Sequence, residues 1–260
     1  MALLLLIFLF LINESRLAVV DGHWLRFFDS SGWFPSAGQF NLWPMLLATV
    51  LATVGALVLA VPMGLAAALF VSFFAPAPLA STFRRLLMLL AGIPSVVYGL
   101  WGLTVLVPLI TRVAPPGASL LAAMLILAVM ILPTVALTSE AALRTVPVSY
   151  WRGGQALGLS AQAILLKIAL PAARTGIVAG VLLATTRALG ETMAVLMVAG
   201  NVVQVPGSIF DSVRVLTANI ALEMAYATDA HRASLYVSSL MLTLVVVAIV
   251  LLGQRLEAKQ

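Results

Sequence analysis

The chain has 260 residues, of which 63% are hydrophobic and 9% charged, with a net charge of +5. Soluble domains carry roughly 45–50% apolar and about 25% charged residues, so a water-soluble globule is excluded. Residues 30–83, 86–111, 113–139 and 233–254 contain no Asp, Glu, Lys or Arg, and each run is long enough to cross a hydrocarbon core of about 30 Å as a helix.

Strict alternation of apolar and polar residues is absent, which argues against a membrane β-barrel. There is no cysteine, hence no disulfide and no Cys-based metal site. The composition predicts an all-α membrane protein.

In chain order, residues 2–20 read as a short first span, with Asn13, Glu14 and Arg16 near its far end. A run this short also occurs as a signal-peptide core, but no Lys or Arg precedes it. Residues 21–43 hold three Trp and four Phe, a composition suited to the membrane interface. Further spans are predicted at 45–74, 86–111, 118–139, 175–200 and 234–253, six in all. Pro62, Pro94, Pro108 and Pro133 fall within spans, where neighbours can re-satisfy the freed carbonyls.

Six spans put both termini on one side. One set of loops carries eight basic residues: Arg84, Arg85, Arg144, Arg152, Lys167, Arg174, Arg255 and Lys259. The other carries five: Arg16, Arg26, Arg112, Arg214 and Arg232. The richer side is expected to be cytoplasmic, with both termini. Its longest segment, residues 140–174, is helix-friendly but interrupted. Gly153 and Gly154 loosen it, Gly158 supplies a turn, Ser160 can cap a helix from Ala161, and Pro171 is expected to stop that helix. The pattern fits a docking element for a soluble partner, and equally an amphipathic hairpin lying on the membrane.

Gly158, nine residues, Ile168, one residue, then Leu170–Pro171 resembles the cytoplasmic loop of ABC-importer permeases, whose coupling helices sit in a cleft of the ATPase subunit. Arg152, Gly153 and Gly154 stand where that family has Glu-Ala-Ala, and the Glu140–Ala142 stretch is out of register. Two further stretches, "AGIPSVVYGLWGL" at 91–103 and "TRALGETMAVLMVAGN" at 186–201, resemble the PstC-type permease subunit of phosphate ABC importers, as does "TVLATVGALVLAVPMGLAAALF" at 49–70.

The resemblance implies a type I ABC-importer permease (MetI-like) fold. It implies an inorganic phosphate importer in the bacterial cytoplasmic (inner) membrane, with a PstA-type second permease, two PstB-type ATPase subunits and a PstS-type extracytoplasmic phosphate-binding protein. It also implies an N-terminal span with an external aromatic loop at 1–43, a permease core at 44–253 with the coupling loop at about 144–174, and a cytoplasmic tail at 254–260. There is no P-loop, so the chain is expected not to be an enzyme and to hold no cofactor, ATP and Mg being bound by the partner ATPase.

Arg187 and Glu191 are the only charges between residues 175 and 210. On a continuous helix from Arg174 to Gly200, Arg187 lies about 20 Å from either face, and the two charges share a face one turn apart. A charge at that depth must face protein or water. One reading is a self-neutralising pair that locks the helix in its bundle. The other is an anion station, because a guanidinium fork matches phosphate oxygens. Ser95, Tyr98, Thr186 and Thr192 are possible lining residues of the same pathway. For Ser95 and Tyr98 the alternative is ordinary close packing around Gly92, Pro94 and Gly99; for the threonines, with Thr185, it is bonding back to their own helix. His23 and His231 have no ligand-like spacing.

Sulfate or molybdate is the alternative cargo. A secondary carrier is less well supported, since no related halves are visible. An intramembrane enzyme would need a cluster of reactive groups in facing spans, and only Arg187 and Glu191 are that deep.

Overall fold

The computed structural model describes residues 2–19, 26–29 and 32–258; Asp21, His23 and Lys259 lie outside the described residues. Helix α1 (Ala2–Val19) occupies the first predicted span and is followed by the short α2 (Arg26–Asp29). Strands β1 (Trp33–Phe34) and β2 (Gln39–Phe40) form an antiparallel hairpin with Trp33 opposite Phe40. The remaining helices are α3 (Trp43–Leu69), α4 (Ala77–Gly92), α5 (Ser95–Trp101), α6 (Val107–Thr111), α7 (Leu120–Arg144), α8 (Val148–Ala156), α9 (Ala161–Ile164), α10 (Leu170–Leu189), α11 (Met193–Val198), α12 (Leu216–Glu223) and α13 (Asp229–Ala258).

Among the described residues, four helices are long and apolar enough to cross a membrane: Trp43–Phe74, Leu120–Arg144, Ala161–Leu189 and Asp229–Arg255. A fifth span is reached if Ala77–Gly92 and Ser95–Thr111 count as one. The predicted continuous span 86–111 is therefore corrected to two helices. Ile93 and Pro94 are both extended (ψ 130° and 141°), because proline pushes the residue before it out of the helical region and has no N–H to continue the ladder. Pro62 and Pro133, by contrast, sit inside unbroken helices.

Three five-residue π turns interrupt the helices, at Phe70–Phe74, Gly102–Leu106 and Leu165–Ala169. After each, the next residue donates its N–H to the carbonyl that opened the turn: Ala75 to Phe70, Val107 to Gly102 and Leu170 to Leu165. A proline comes immediately afterwards in all three cases: Pro76, Pro108 and Pro171. The widened turn makes use of carbonyls that a proline would otherwise orphan. This corrects the expected stop at Pro171, since the chain stays helical from Ala161 to Leu189.

The chain forms two compact units. The first comprises Met1–Gly55, Pro94–Leu127 and Leu189–Ala248. Its core gathers Phe27, Trp33, Leu42, Met45, Leu216 and Leu235. There α5 lies against α11 at Gly99, where a Cβ would come within 2.9 Å of the Ala194 Cα.

The second unit comprises Ala56–Ile93, Ala128–Ala188 and Ile249–Gln260. Its helices approach closely through small residues; a Cβ on Gly180 would lie 2.7 Å from the Thr138 Cβ. The buried Glu140 ties α7 to α4. Its Oε1 and Oε2 accept from Arg84 Nε at 3.0 and 3.1 Å, and its Oε1 accepts from Arg84 Nη2 at 2.5 Å. Arg144 Nε adds a contact to Oε1 at 3.1 Å. Two guanidinium groups on one carboxylate leave no buried negative charge uncompensated.

Candidate functional site

The Arg187–Glu191 segment is a helix break. Helix α10 ends at Leu189 and α11 begins at Met193. This corrects the expected continuous helix from Arg174 to Gly200: the two residues do not share a helical face, and Arg187 stands in a last turn, not at the centre of a span. A cation suits the C-terminal turn of a helix, where carbonyls point outward unpaired. The half-buried Arg187 donates from Nη1 to Thr134 Oγ1 at 3.4 Å, a partner 53 positions away that no sequence pattern announces.

Glu191 lies on the other side of Gly190. Its Oε1 accepts the Ala194 N–H of α11 at 3.2 Å, and its backbone carbonyl accepts the Thr217 hydroxyl at 2.8 Å. Arg187 and Thr186 belong to the second compact unit, whereas Glu191, Thr192, Ser95 and Tyr98 belong to the first. Ser95 opens α5 half-buried and Tyr98 is buried on the same helix, which packs on α11. The threonine hydroxyls bond locally: Thr185 to Val181 O at 2.8 Å, Thr186 to Leu183 O at 2.9 Å and Thr192 to Gly190 O at 3.4 Å. Their hydrogens are spent, and each keeps a lone pair to accept with.

The second cluster of predicted residues folds as a helix-turn-helix. Arg152 and Gly153 are exposed on α8, while Gly154 is buried, and a Cβ there would lie 2.7 Å from the Ile164 Cγ1. The glycine that replaces the family's alanine lets α8 close on the next helix. Gly158 has φ +72°, a conformation that a β-branched residue resists. The Ser160 hydroxyl caps α9 by accepting from Ala163 N at 3.3 Å. Ile168 lies in the π turn, and Leu170–Pro171 open α10. Val148, Leu157 and Leu166 point apolar side chains outward, Leu157 with 79% exposure.

A third cluster went unnoticed in the sequence, where its members counted only as loop charges and a histidine without ligand-like spacing. Glu223, 6% exposed, accepts from Arg214 Nη1 at 2.6 Å and from Trp33 Nε1 at 2.7 Å, and pairs with His231 Nε2 at 2.8 Å. Arg214 also donates to the Asn201 carbonyl at 2.9 Å and to Asn219 Oδ1 at 3.1 Å. One carboxylate thereby holds the β-hairpin, the segment before α12 and the first turn of α13. Trp33 and Glu223 are 190 positions apart, which explains why no local pattern exposed them.

Long apolar helices packed closely through small residues define a helical membrane protein. Residues 60–259 match the family described as "Binding-protein-dependent transport system inner membrane component", and the chain belongs to that family. It is an ABC transporter permease subunit of the inner membrane. It is 38% identical to the probable ABC transporter permease protein YqgH of Bacillus subtilis, over 78% of this chain and 67% of that one. It is 32% identical to the phosphate transport system permease protein PstC of Mesorhizobium japonicum, over 89% and 78%. With PstC of Pasteurella multocida the identity is 30%, over 98% and 90%. Inward-facing structures of the MetNI methionine ABC transporter share the fold, with TM-scores of 0.61 and 0.63 at 22% identity, covering 83% of this chain and 92% of theirs.

Removal of the central carboxylate tests the third cluster. Glu223→Ala leaves Arg214 without its charge partner and is expected to cost about 3–5 kcal/mol, seen as a fall in the thermal unfolding midpoint in detergent. His231→Gln keeps a donor beside Glu223 and is expected to cost about 1 kcal/mol. Equal effects of the two changes would show that Glu223 is not the node.

Proposed function

We propose that the chain is the permease subunit of an ATP-driven inorganic phosphate importer, forming half of the translocation pathway with a PstA-type second permease. Two PstB-type ATPase subunits would bind the ATP and Mg, and a PstS-type protein would deliver phosphate from outside. This chain would hold no cofactor and carry out no catalysis. The PstC relatives support phosphate as cargo. The observation that carries the assignment of residues is Arg187 at a break between helices, with one long hydrogen bond among the described residues. Transporters place substrate sites at such discontinuities, and an Arg fork recognises phosphate bidentately. Glu191 tunes the local charge, and Ser95, Tyr98, Thr186 and Thr192 are the further residues assigned to the route.

Residues 144–174 are the coupling loop. Arg152, Gly153, Gly154 and Gly158 shape its turn, and Ile168, Leu170 and Pro171 carry its second helix into α10. The exposed Val148, Leu157 and Leu166 are the apolar contacts offered to the ATPase. The loop and both termini face the cytoplasm, as the count of basic residues indicates.

Arg187→Gln preserves a donor for Thr134, so the subunit is expected to assemble and basal ATP hydrolysis to persist while phosphate uptake into reconstituted vesicles is lost. Arg187→Lys is expected to retain little uptake, because a point charge does not reproduce the fork. Undiminished uptake by Arg187→Gln would refute the anion role, and sulfate or molybdate competing as well as phosphate would refute the cargo.

For the loop, Gly158→Val is expected to leave the subunit inserted and to reduce substrate-stimulated ATP hydrolysis. Normal stimulation would remove the turn from the coupling mechanism. A single cysteine at position 160, in this cysteine-free chain, should react with an impermeant reagent only from the cytoplasmic side. Labelling from outside reverses the orientation.

A further inference from the structure

Helices α1 and α13 meet edge to face at Phe10 and Tyr236, with ring centroids 5.7 Å apart, and beside that contact their surfaces line an open crevice. On α1 the surface is Leu9, Ile12, Asn13 and Arg16, and on α13 it is Val237, Leu240, Met241 and Leu244. Both sets follow the i, i+3, i+4, i+7 spacing with which helices pack. They nonetheless enclose a crevice of about 700 Å³, closed on a third side by Phe27 and Phe28, within the size range of ligand sites, roughly 300–1,000 Å³. Its lining surface is almost wholly apolar, and the polar residues among those that line it, Asn13, Ser15 and Arg16, follow the apolar half of α1. Arg16 is exposed and forms no ion pair among the described residues.

The surroundings decide what class of molecule fills this space. Helix α13 is long and apolar enough to span the membrane, and only 17% of its most apolar window is buried within the chain. For a helix of this length and hydropathy, the hydrocarbon of the bilayer is available to that open surface. The distance from Leu9 to Arg16 along α1 is about 10 Å, so the crevice runs from the hydrocarbon toward the polar end of a short span. An apolar trough with an arginine among its lining residues matches an acyl chain that ends in a phosphate, because Arg binds phosphate oxygens by charge-assisted bonds.

We infer that this crevice is a binding site for an anionic phospholipid, with an acyl chain between α1 and α13 and the headgroup phosphate on Arg16. The site is independent of the transport residues. Asn13 supplies a neutral donor beside the charge, and the Ser15 hydroxyl is already committed to the Ile12 carbonyl at 3.0 Å.

The test uses the full chain, purified in mild detergent with the subunits it retains, and reads bound lipid by native mass spectrometry. Phosphatidylglycerol and phosphatidylcholine with matched acyl chains are the probes. The wild type is expected to retain phosphatidylglycerol preferentially, even in excess inorganic phosphate. Arg16→Gln is expected to weaken phosphatidylglycerol retention about tenfold, to the phosphatidylcholine level. Leu240→Trp fills the trough and is expected to reduce retention of both lipids, whereas Leu240→Ala is not.

Unchanged preference in Arg16→Gln overturns the headgroup assignment. Displacement of phosphatidylglycerol by inorganic phosphate would show a free-anion site instead. If Leu240→Trp releases a subunit and leaves lipid unchanged, the crevice is filled by protein and the proposal fails.

Discussion

In hydrocarbon no water is available for an unpaired backbone group, so every N–H and C=O in a membrane span needs a partner within the protein. Most of the fold's irregularities follow from how 13 prolines, each without an N–H, are accommodated under that rule. Pro62 and Pro133 are carried inside unbroken α-helical runs. Pro76, Pro108 and Pro171 each follow a π turn by one residue. In these turns the last available N–H before the proline reaches back five residues. The ladder closes before the proline needs a donor, and the wider turn gives its ring room. Pro94 is resolved in a third way: the helix stops at Gly92 and a new one starts at Ser95.

The second accommodation decides the character of the 144–174 region. Had Pro171 ended a short helix, the second arm of the helix-turn-helix would be a separate element. The π turn at Leu165–Ala169 instead joins that arm to α10 without interruption. Ala161 and the turn that carries Arg187 are thereby two ends of one helical run. Gly154 contributes to the same element by letting α8 approach Ile164 within van der Waals contact.

What the sequence disclosed follows from the range of its signals. Charge-free length reveals spans, and the turn at Gly158 with its Ser160 cap was legible because both are local chemistry. Hydropathy does not register hydrogen-bond partners, so the same apolar run at 86–111 hid the break at Ile93–Pro94. Likewise, the i,i+4 spacing of Arg187 and Glu191 is informative only if a helix joins them, and Gly190 stands where it ends. The partners that matter most lie far apart in sequence: Arg84 with Glu140 by 56 positions, Arg187 with Thr134 by 53 and Trp33 with Glu223 by 190. Only the tertiary packing brings them together.

The three acidic sites on which this fold centres its charges differ in how fully they are satisfied. Glu140 is 4% exposed and accepts from two arginines; Glu223 is 6% exposed and is held by an arginine, an indole and a histidine. A buried carboxylate so heavily engaged is costly to disturb and has no capacity left for a passing ion. Glu191 is half-buried, and its carboxylate has one backbone N–H as partner. The nearby Arg187 has five donors and, among the described residues, one hydrogen bond of 3.4 Å. A guanidinium in the last turn of a helix interacts favourably with the carbonyls around it. The proposed anion station would use donors left uncommitted in this way, because a site that bound its own carboxylate as tightly as Glu140 binds Arg84 would have to break that bridge in every cycle.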